Sequence, residues 1–135
     1  ANGGAVLGAQ AMGADLAYIG SPWIATFEAN ADEGYKQGIV EGAASDIVYS
    51  NLFTGVHGNY LRQSIVNAGL DPDNLPEGDI STMNFGSGGN TEAKAWRDIW
   101  GSGQGVGAVK AVESVADRVD RLEREYLAAR ARLAL

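Results

Sequence analysis

The residues best suited to chemistry lie in the stretch Gly13–Trp23, which reads GADLAYIGSPW. Its centre, Asp15 to Ile19, is a short apolar run rich in strand-forming residues, and Gly20-Ser21-Pro22 ends it abruptly. An apolar run closed by Gly and Pro predicts a buried strand of a parallel sheet. Ligands of α/β proteins sit just past the carboxyl ends of such strands. There Gly20 would let a ligand approach the backbone closely, and Ser21 would add a hydroxyl beside a backbone N–H. That combination suits a phosphate group. The same residues would also serve an ordinary strand-to-helix turn.

Other candidates are weaker. His57, the only histidine, sits in a Gly-flanked turn and could act as a general base. It lacks a second histidine for a metal and any Ser–His–Asp order, so a loop hydrogen-bonding role is the plainer reading. Asp71, Asp73, Asn74, Glu77 and Asp79 resemble a calcium loop at first sight. That pattern needs a ligand at its fifth position and Gly at its sixth, where Leu75 and Pro76 stand. The segment Gly101–Gly107 has glycine at every second position and offers N–H groups to a phosphate or a flavin edge. A helix, not a strand, is expected before it, so the dinucleotide fingerprint is not met and a flexible loop stays open. Trp23, Trp96 and Trp100 could stack on a ring system, or simply fill a core.

The elements that must position these residues follow from periodicity and caps. Asn2 caps a first helix carrying Val6, Leu7, Gln10 and Ala11, with Gly13 as its C′ residue. The strand Asp15–Ile19 follows, giving the helix–strand alternation of a parallel sheet. Asn30 and Glu33 form a capping box for a helix bearing Tyr35, Ile39 and Val40. Asp46 to Phe53 is a second strand, residues 54–58 a turn, and Asn59 the cap of a helix stopped by Gly69. Residues 69–93 read as a long loop and Glu92–Trp100 as a short helix. Ser114 caps a terminal helix with an apolar stripe of Val115, Val119, Leu122, Tyr126 and Leu133. Its exposed side carries the i,i+4 pairs Asp117/Arg121 and Asp120/Arg124.

Composition bounds the function. At 135 residues, 45% hydrophobic and 20% charged, the chain has the composition of one globular domain. Its 19 glycines are about twice the usual share, yet only 3 prolines accompany them, which excludes a collagenous chain. A net charge of −7 opposes nucleic acid and anionic membranes as partners. Without cysteine there is no disulfide, thiolate metal site or thiol nucleophile. No signal-like or membrane-spanning run is present, and a cytoplasmic location is expected. Two strands cannot close a barrel, which needs roughly 250 residues. The absent initiator Met and the cap at residue 2 add to the expectation of a piece of something longer.

Three stretches carry a resemblance: GADLAYIGSPWIATFEANADEGYKQGIVEG, then DIVYSNLFTGVHGNYLR, then AWRDIWGSGQGVG. Together they resemble the C-terminal part of nitronate monooxygenases, formerly called 2-nitropropane dioxygenases, over nearly the whole chain. The resemblance implies an FMN-dependent enzyme that oxidises alkyl nitronates with O₂, so a nitronate-like small molecule and O₂ are the expected partners. The implied fold class is α/β, the C-terminal portion of an FMN-binding TIM (β/α)₈ barrel with an inserted mostly helical segment. Residues 1–30 would be its last helix–strand unit with the phosphate turn, 31–107 the helical and loop insertion, and 108–135 the closing helix. The family's FMN-phosphate motif matches Tyr18, Ile19, Gly20 and Ser21, with Ser in place of the common Thr. Gln104 and Gly105 match its loop near the flavin. The family's catalytic histidine belongs to an N-terminal part without counterpart here, so no catalytic residue is expected in this chain, which would be inactive alone. An NAD(P)H-dependent quinone or enoyl reductase of the same flavoprotein fold is the first alternative, and a non-catalytic helical domain the second. Homo-oligomerisation is left open.

Overall fold

The computed structural model describes residues 1–78 and 95–133, without the side chains of 95 and 96. In chain order the helices are α1 (Gly3–Ala11), α2 (Ser21–Ile24), α3 (Glu33–Glu41), α4 (Arg62–Asn67), α5 (Ala95–Asp98) and α6 (Val115–Arg132). The strands are β1 (Ile47–Ser50) and β2 (Gly58–Leu61). The chain forms two compact units, Ala1–Glu41 with Gly105–Leu135, and Gly42–Gln104. Residues 31–41 and 105–107 of the expected insertion thus group with the first unit.

In the first unit, α1 begins and ends where its sequence predicts. The Asn2 side chain accepts a hydrogen bond from the Ala5 N–H at 2.8 Å. At the other end Gly13 has φ +96°, a conformation strained for any residue with a Cβ. Its N–H reaches the Gln10 carbonyl at 2.9 Å and that of Ala14 reaches Ala9 at 3.0 Å. Those two bonds make a Schellman stop.

The expected strand Asp15–Ile19 does not form. Met12, Leu16 and Tyr18 are exposed, Tyr18 completely so. A strand exists through ladder hydrogen bonds to a neighbour. No described residue bridges to this segment, so its apolar run stays irregular and in solvent.

Beyond it, Pro22 occupies the first turn of α2, where its missing N–H costs nothing. Thr26 forms an isolated parallel bridge with Glu113, the Phe27 N–H donating to the Glu113 carbonyl at 3.0 Å. The cap of α3 is Asp32 rather than Asn30. Its carboxylate accepts from the Gly34 N–H at 2.8 Å, closer to the first turn than Asn30 could reach. Ala25, Ile39, Val106 and Val109 form the fully buried part of this unit's core.

Helix α6 packs along α1. Ser114 caps it as expected, accepting from the Asp117 N–H at 3.0 Å. Of the expected stripe, Leu122 and Tyr126 are half-buried against α1, whereas Val115, Val119 and Leu133 are exposed and Arg118 and Ala129 are buried instead. Contact is made where α1 has no side chain. A Cβ on Gly3 would overlap the backbone of Leu122 and Tyr126 and lie 2.7 Å from Glu125 Cβ. The Gly3 N–H donates to Glu125 Oε2 at 2.9 Å and Tyr126 Oη to Gln10 Oε1 at 2.6 Å.

Arg118 is 3% exposed and pairs through Nε with Glu113 Oε1 at 2.6 Å. Arg121 joins the same carboxylate oxygen, in place of the expected Asp117. Burial pulls the Arg118 guanidinium below its usual pKa, while Glu113 opposes that shift.

The second unit is a two-stranded antiparallel hairpin with helices. Ile47 pairs with Leu61, and Ser50 with Gly58. Asn59 is therefore a strand residue and not a cap, and the helix it was expected to open starts at Arg62. That helix ends as predicted. Gly69 has φ +79°, and the N–H groups of Gly69 and Leu70 return to Val66 at 2.9 Å and Ile65 at 3.1 Å. Val48, Ile65 and Ile99 form the core, with Phe53, Tyr60 and Leu75 packed against it. The Phe53 and Tyr60 rings meet edge to face at 4.9 Å. The expected strand residues Asn51 to Phe53 lie in a turn. Asn51 instead spans to Gly78, accepting its N–H at 3.0 Å and donating to its carbonyl at 3.4 Å. Asp79, and most of the expected loop and helix between 79 and 94, lie outside the described residues.

Candidate functional site

Tyr18, Ile19, Gly20 and Ser21 form one turn of the first unit leading into α2. Gly20 is its N-cap, with φ −114°, and its carbonyl accepts from the Trp23 N–H at 3.1 Å. That φ is open to any residue, so the turn itself does not demand glycine. Space is what the glycine leaves: a Cβ there would meet no atom within 4 Å. The Pro22 side chain is buried beneath the turn and anchors it, Ile19 is half-buried, and the Tyr18 ring projects fully into solvent. This turn leaves room for a group that approaches the backbone at Gly20.

Gln104 and Gly105 open a short 3₁₀ segment, Gln104–Ala108, where the sequence predicts a flexible glycine loop. Val106, fully buried, explains the difference by pinning the segment into the core. Gly105 lies in the first unit, its carbonyl accepting from the Ala1 amine at 3.4 Å. Gln104 closes the second unit and is exposed.

The residues before Gln104 are held firmly. The Leu61 N–H donates to the Trp100 carbonyl at 2.8 Å and the Ser102 N–H to the Asn59 carbonyl at 3.0 Å. Tyr60 and Gly101 form an antiparallel bridge between them. Residues 100–102 thus run along the free edge of β2. Behind that edge, the fully buried Ser64 Oγ donates to the Leu61 carbonyl at 2.7 Å and accepts the Trp100 N–H at 3.0 Å.

The second unit also carries a cleft of about 250 Å³, lined by Tyr49, Asn51, His57, Asp73, Leu75 and Glu77 among others. His57 stacks on Tyr49, with centroids 4.7 Å apart and planes 20° from parallel. Sequence reasoning missed this pair because hairpin register, not spacing, brings the two rings together. Asp73 is committed to Arg62 through two 2.8 Å hydrogen bonds, which hold its carboxyl below the usual Asp range and raise the guanidinium. Among the described residues no cluster of His, Asp and Glu could hold a metal ion, and no helix is long and apolar enough to cross a membrane. Trp100 donates from its indole N–H to the Arg97 carbonyl at 3.2 Å, while the Trp96 side chain lies outside what is described.

No protein-family model matches the sequence, and neither does any curated protein. Solved structures do match. Nitroalkane oxidase from Streptomyces ansochromogenes aligns with TM-score 0.69 and 22% identity, over 99% of this chain and 38% of its own. FabK from Thermotoga maritima aligns with TM-score 0.66 and 17% identity, over 99% and 44%. A mutant of the same FabK aligns with TM-score 0.68 and 18% identity, over 99% and 41%. The chain spans about two fifths of the length of these structures. It has the mixed α/β fold of a part of nitroalkane oxidase and FabK, so the resemblance carried by its motifs is matched in its fold.

Proposed function

We propose that this chain supplies the phosphate-binding end of an FMN site in a flavin-dependent oxidoreductase, most like a nitronate monooxygenase. The observation that carries the proposal is the likeness to nitroalkane oxidase along 99% of the chain. The open turn at Gly20 supports it from the residue side. Gly20 would admit a phosphate oxygen to the backbone, and the Ser21 hydroxyl would donate to it at the start of α2. Tyr18 and Ile19 would shape the approach. When bound, FMN supplies the electron transfer, from an alkyl nitronate and on to O₂. The chain's own part is to bind and orient the cofactor as the C-terminal portion of a (β/α)₈ barrel. His57, stacked on Tyr49, carries no catalytic role in this reading.

A second reading rests on the FabK matches, whose TM-scores nearly equal that of nitroalkane oxidase. It is an NAD(P)H-dependent quinone or enoyl reductase of the same fold. Absorbance near roughly 450 nm after incubation with FMN and desalting tests the cofactor site. Retention by the wild type and loss in Gly20→Trp is the expected result. Equal retention by both refutes the placement at Gly20 and favours a non-catalytic domain, while no retention by the wild type fits a half-site that needs the rest of its barrel. Anaerobic reduction of the flavin by a nitronate or by NADH then separates the two enzyme readings.

A further inference from the structure

Helix α3 buries a lysine. Ile39 of that helix is fully buried, Tyr35 and Val40 are half-buried, and Lys36 is buried with them at 7% exposure. An apolar residue of similar length would fill the position at no electrostatic cost. An ammonium taken out of water is unfavourable unless an anion offsets its lost hydration. The chain spends none of its own anions on this one. Of its 17 acidic residues, none that is described pairs with Lys36, and no described side chain accepts a hydrogen bond from its ammonium. The carboxylates nearest in sequence, Asp32, Glu33 and Glu41, are all exposed, and Asp32 is occupied in capping α3 through the Gly34 N–H. A snorkelling lysine frees its whole head group to water, and 7% of the residue is too little surface for that. The ammonium nevertheless keeps a small contact with solvent, so an ion from outside can reach it. Helix α3 packs against α2, the helix that follows the Gly20 turn, and both belong to the first unit. A lysine ammonium is a compact point charge well suited to phosphate oxygens.

We infer that Lys36 is an anion-binding residue of the first unit, supplying the positive charge met by a phosphate monoester held at the Gly20 turn. The inference rests on the proposed cofactor site for the identity of that monoester, and on burial without a counter-ion for the anion itself.

The test compares the wild-type chain with Lys36→Met, which keeps a stem of similar length, and with Lys110→Met, which removes the same charge from an exposed position of the same unit. Thermal unfolding is followed in phosphate and in chloride at matched ionic strength, so that screening is equal. Affinity for FMN and for riboflavin, which lacks the phosphate, is read by flavin fluorescence. Phosphate is expected to raise the wild-type Tm, as a ligand of the folded state does, and to leave that of Lys36→Met unmoved. Lys36→Met should weaken FMN about tenfold or more, the effect of losing one hydrogen bond to a charged group, with riboflavin held within about twofold. Its Tm in chloride should equal or exceed that of the wild type, because the uncompensated charge is gone. Lys110→Met should keep both the phosphate response and the preference for FMN. A phosphate response that survives Lys36→Met overturns the inference, and so does a wild type that shows none. Protection by phosphate that depends on Lys36, in a chain that binds FMN no better than riboflavin, upholds the anion site and overturns its link to the cofactor. Loss of FMN in Gly20→Trp, with Lys36→Met binding it as tightly as the wild type, refutes the inference and leaves the proposed function standing.

Discussion

Three glycines of α1 face three different surroundings, and one substitution repeated at each should give a loss, no clear change and a gain in stability. A Cβ at Gly3 would overlap the main chain of Leu122 and Tyr126. Backbone atoms cannot rotate aside, so α1 must move away from α6. Overpacking of this kind costs about 1–3 kcal/mol, and an immovable obstacle puts Gly3→Ala near the upper end. Displacement would also stretch the Gly3–Glu125 and Gln10–Tyr126 hydrogen bonds. Against this stands at most about 1 kcal/mol of helix propensity gained by replacing glycine. The net expectation is a loss of about 2 kcal/mol, or roughly 8 °C in Tm for a chain of this size. At Gly4 the nearest atoms would be Asn2 Oδ1 at 3.5 Å and Ala129 Cβ at 3.8 Å, ordinary contacts, so Gly4→Ala should lie within about 0.5 kcal/mol of wild type. At Gly8 nothing lies within 4 Å, and Gly8→Ala should stabilise by about 0.5–1 kcal/mol. Thermal unfolding followed by far-UV circular dichroism ranks the three. If Gly3→Ala melts at or above Gly8→Ala, the close approach of α1 to α6 is not as described and the packing argument fails.

Two further expectations follow from the charged groups. Glu113→Gln leaves the Arg118 guanidinium buried without its carboxylate, and should cost about 3 kcal/mol in chemical denaturation, much of it recovered by adding Arg118→Met; a loss under about 1 kcal/mol would mean water already reaches that pair. Asp73, hydrogen-bonded by Arg62, has its folded pKa below the unfolded value of about 3.9. Its contribution is therefore fully present above that value and fades as pH falls through the folded pKa. Because the pair is exposed, Asp73→Asn should change little at pH 7 and flatten the acid limb of the stability profile. An NMR titration placing the Asp73 carboxyl midpoint at or above about 3.9 would contradict the pairing.

The turn at Gly20 was legible because Gly, Ser and Pro in sequence punctuate a chain wherever it folds. What surrounds the turn was not, since Leu16 and Tyr18 read as a buried strand and lie in solvent. Gln104 and Gly105 were picked out by resemblance, yet spacing alone suggested a loop where Val106 holds a 3₁₀ segment. Ser64 carried no signal at all. A serine within a helix is ordinary until its acceptor role toward Trp100 is seen.

By itself the sequence determined most features whose hydrogen bonds close within five residues, the caps at Asn2 and Ser114 and the left-handed stops at Gly13 and Gly69, the exception being the α3 cap, where Asp32 takes the place of Asn30. Those bonds join near neighbours, so local residue chemistry selects them before any packing. Tertiary structure alone decided that Asn59 and Tyr60 extend rather than coil. Their partners are β1 on one side and Trp100–Ser102 on the other. It also decided that Arg118 of α6 is buried while Val115, Val119 and Leu133 of its apolar stripe are exposed, through the Gly3 approach and the Glu113 carboxylate. The physical reason is the same in each case. Such contacts acquire their energy only when segments far apart in the chain have already met, and no local pattern records which segments those will be.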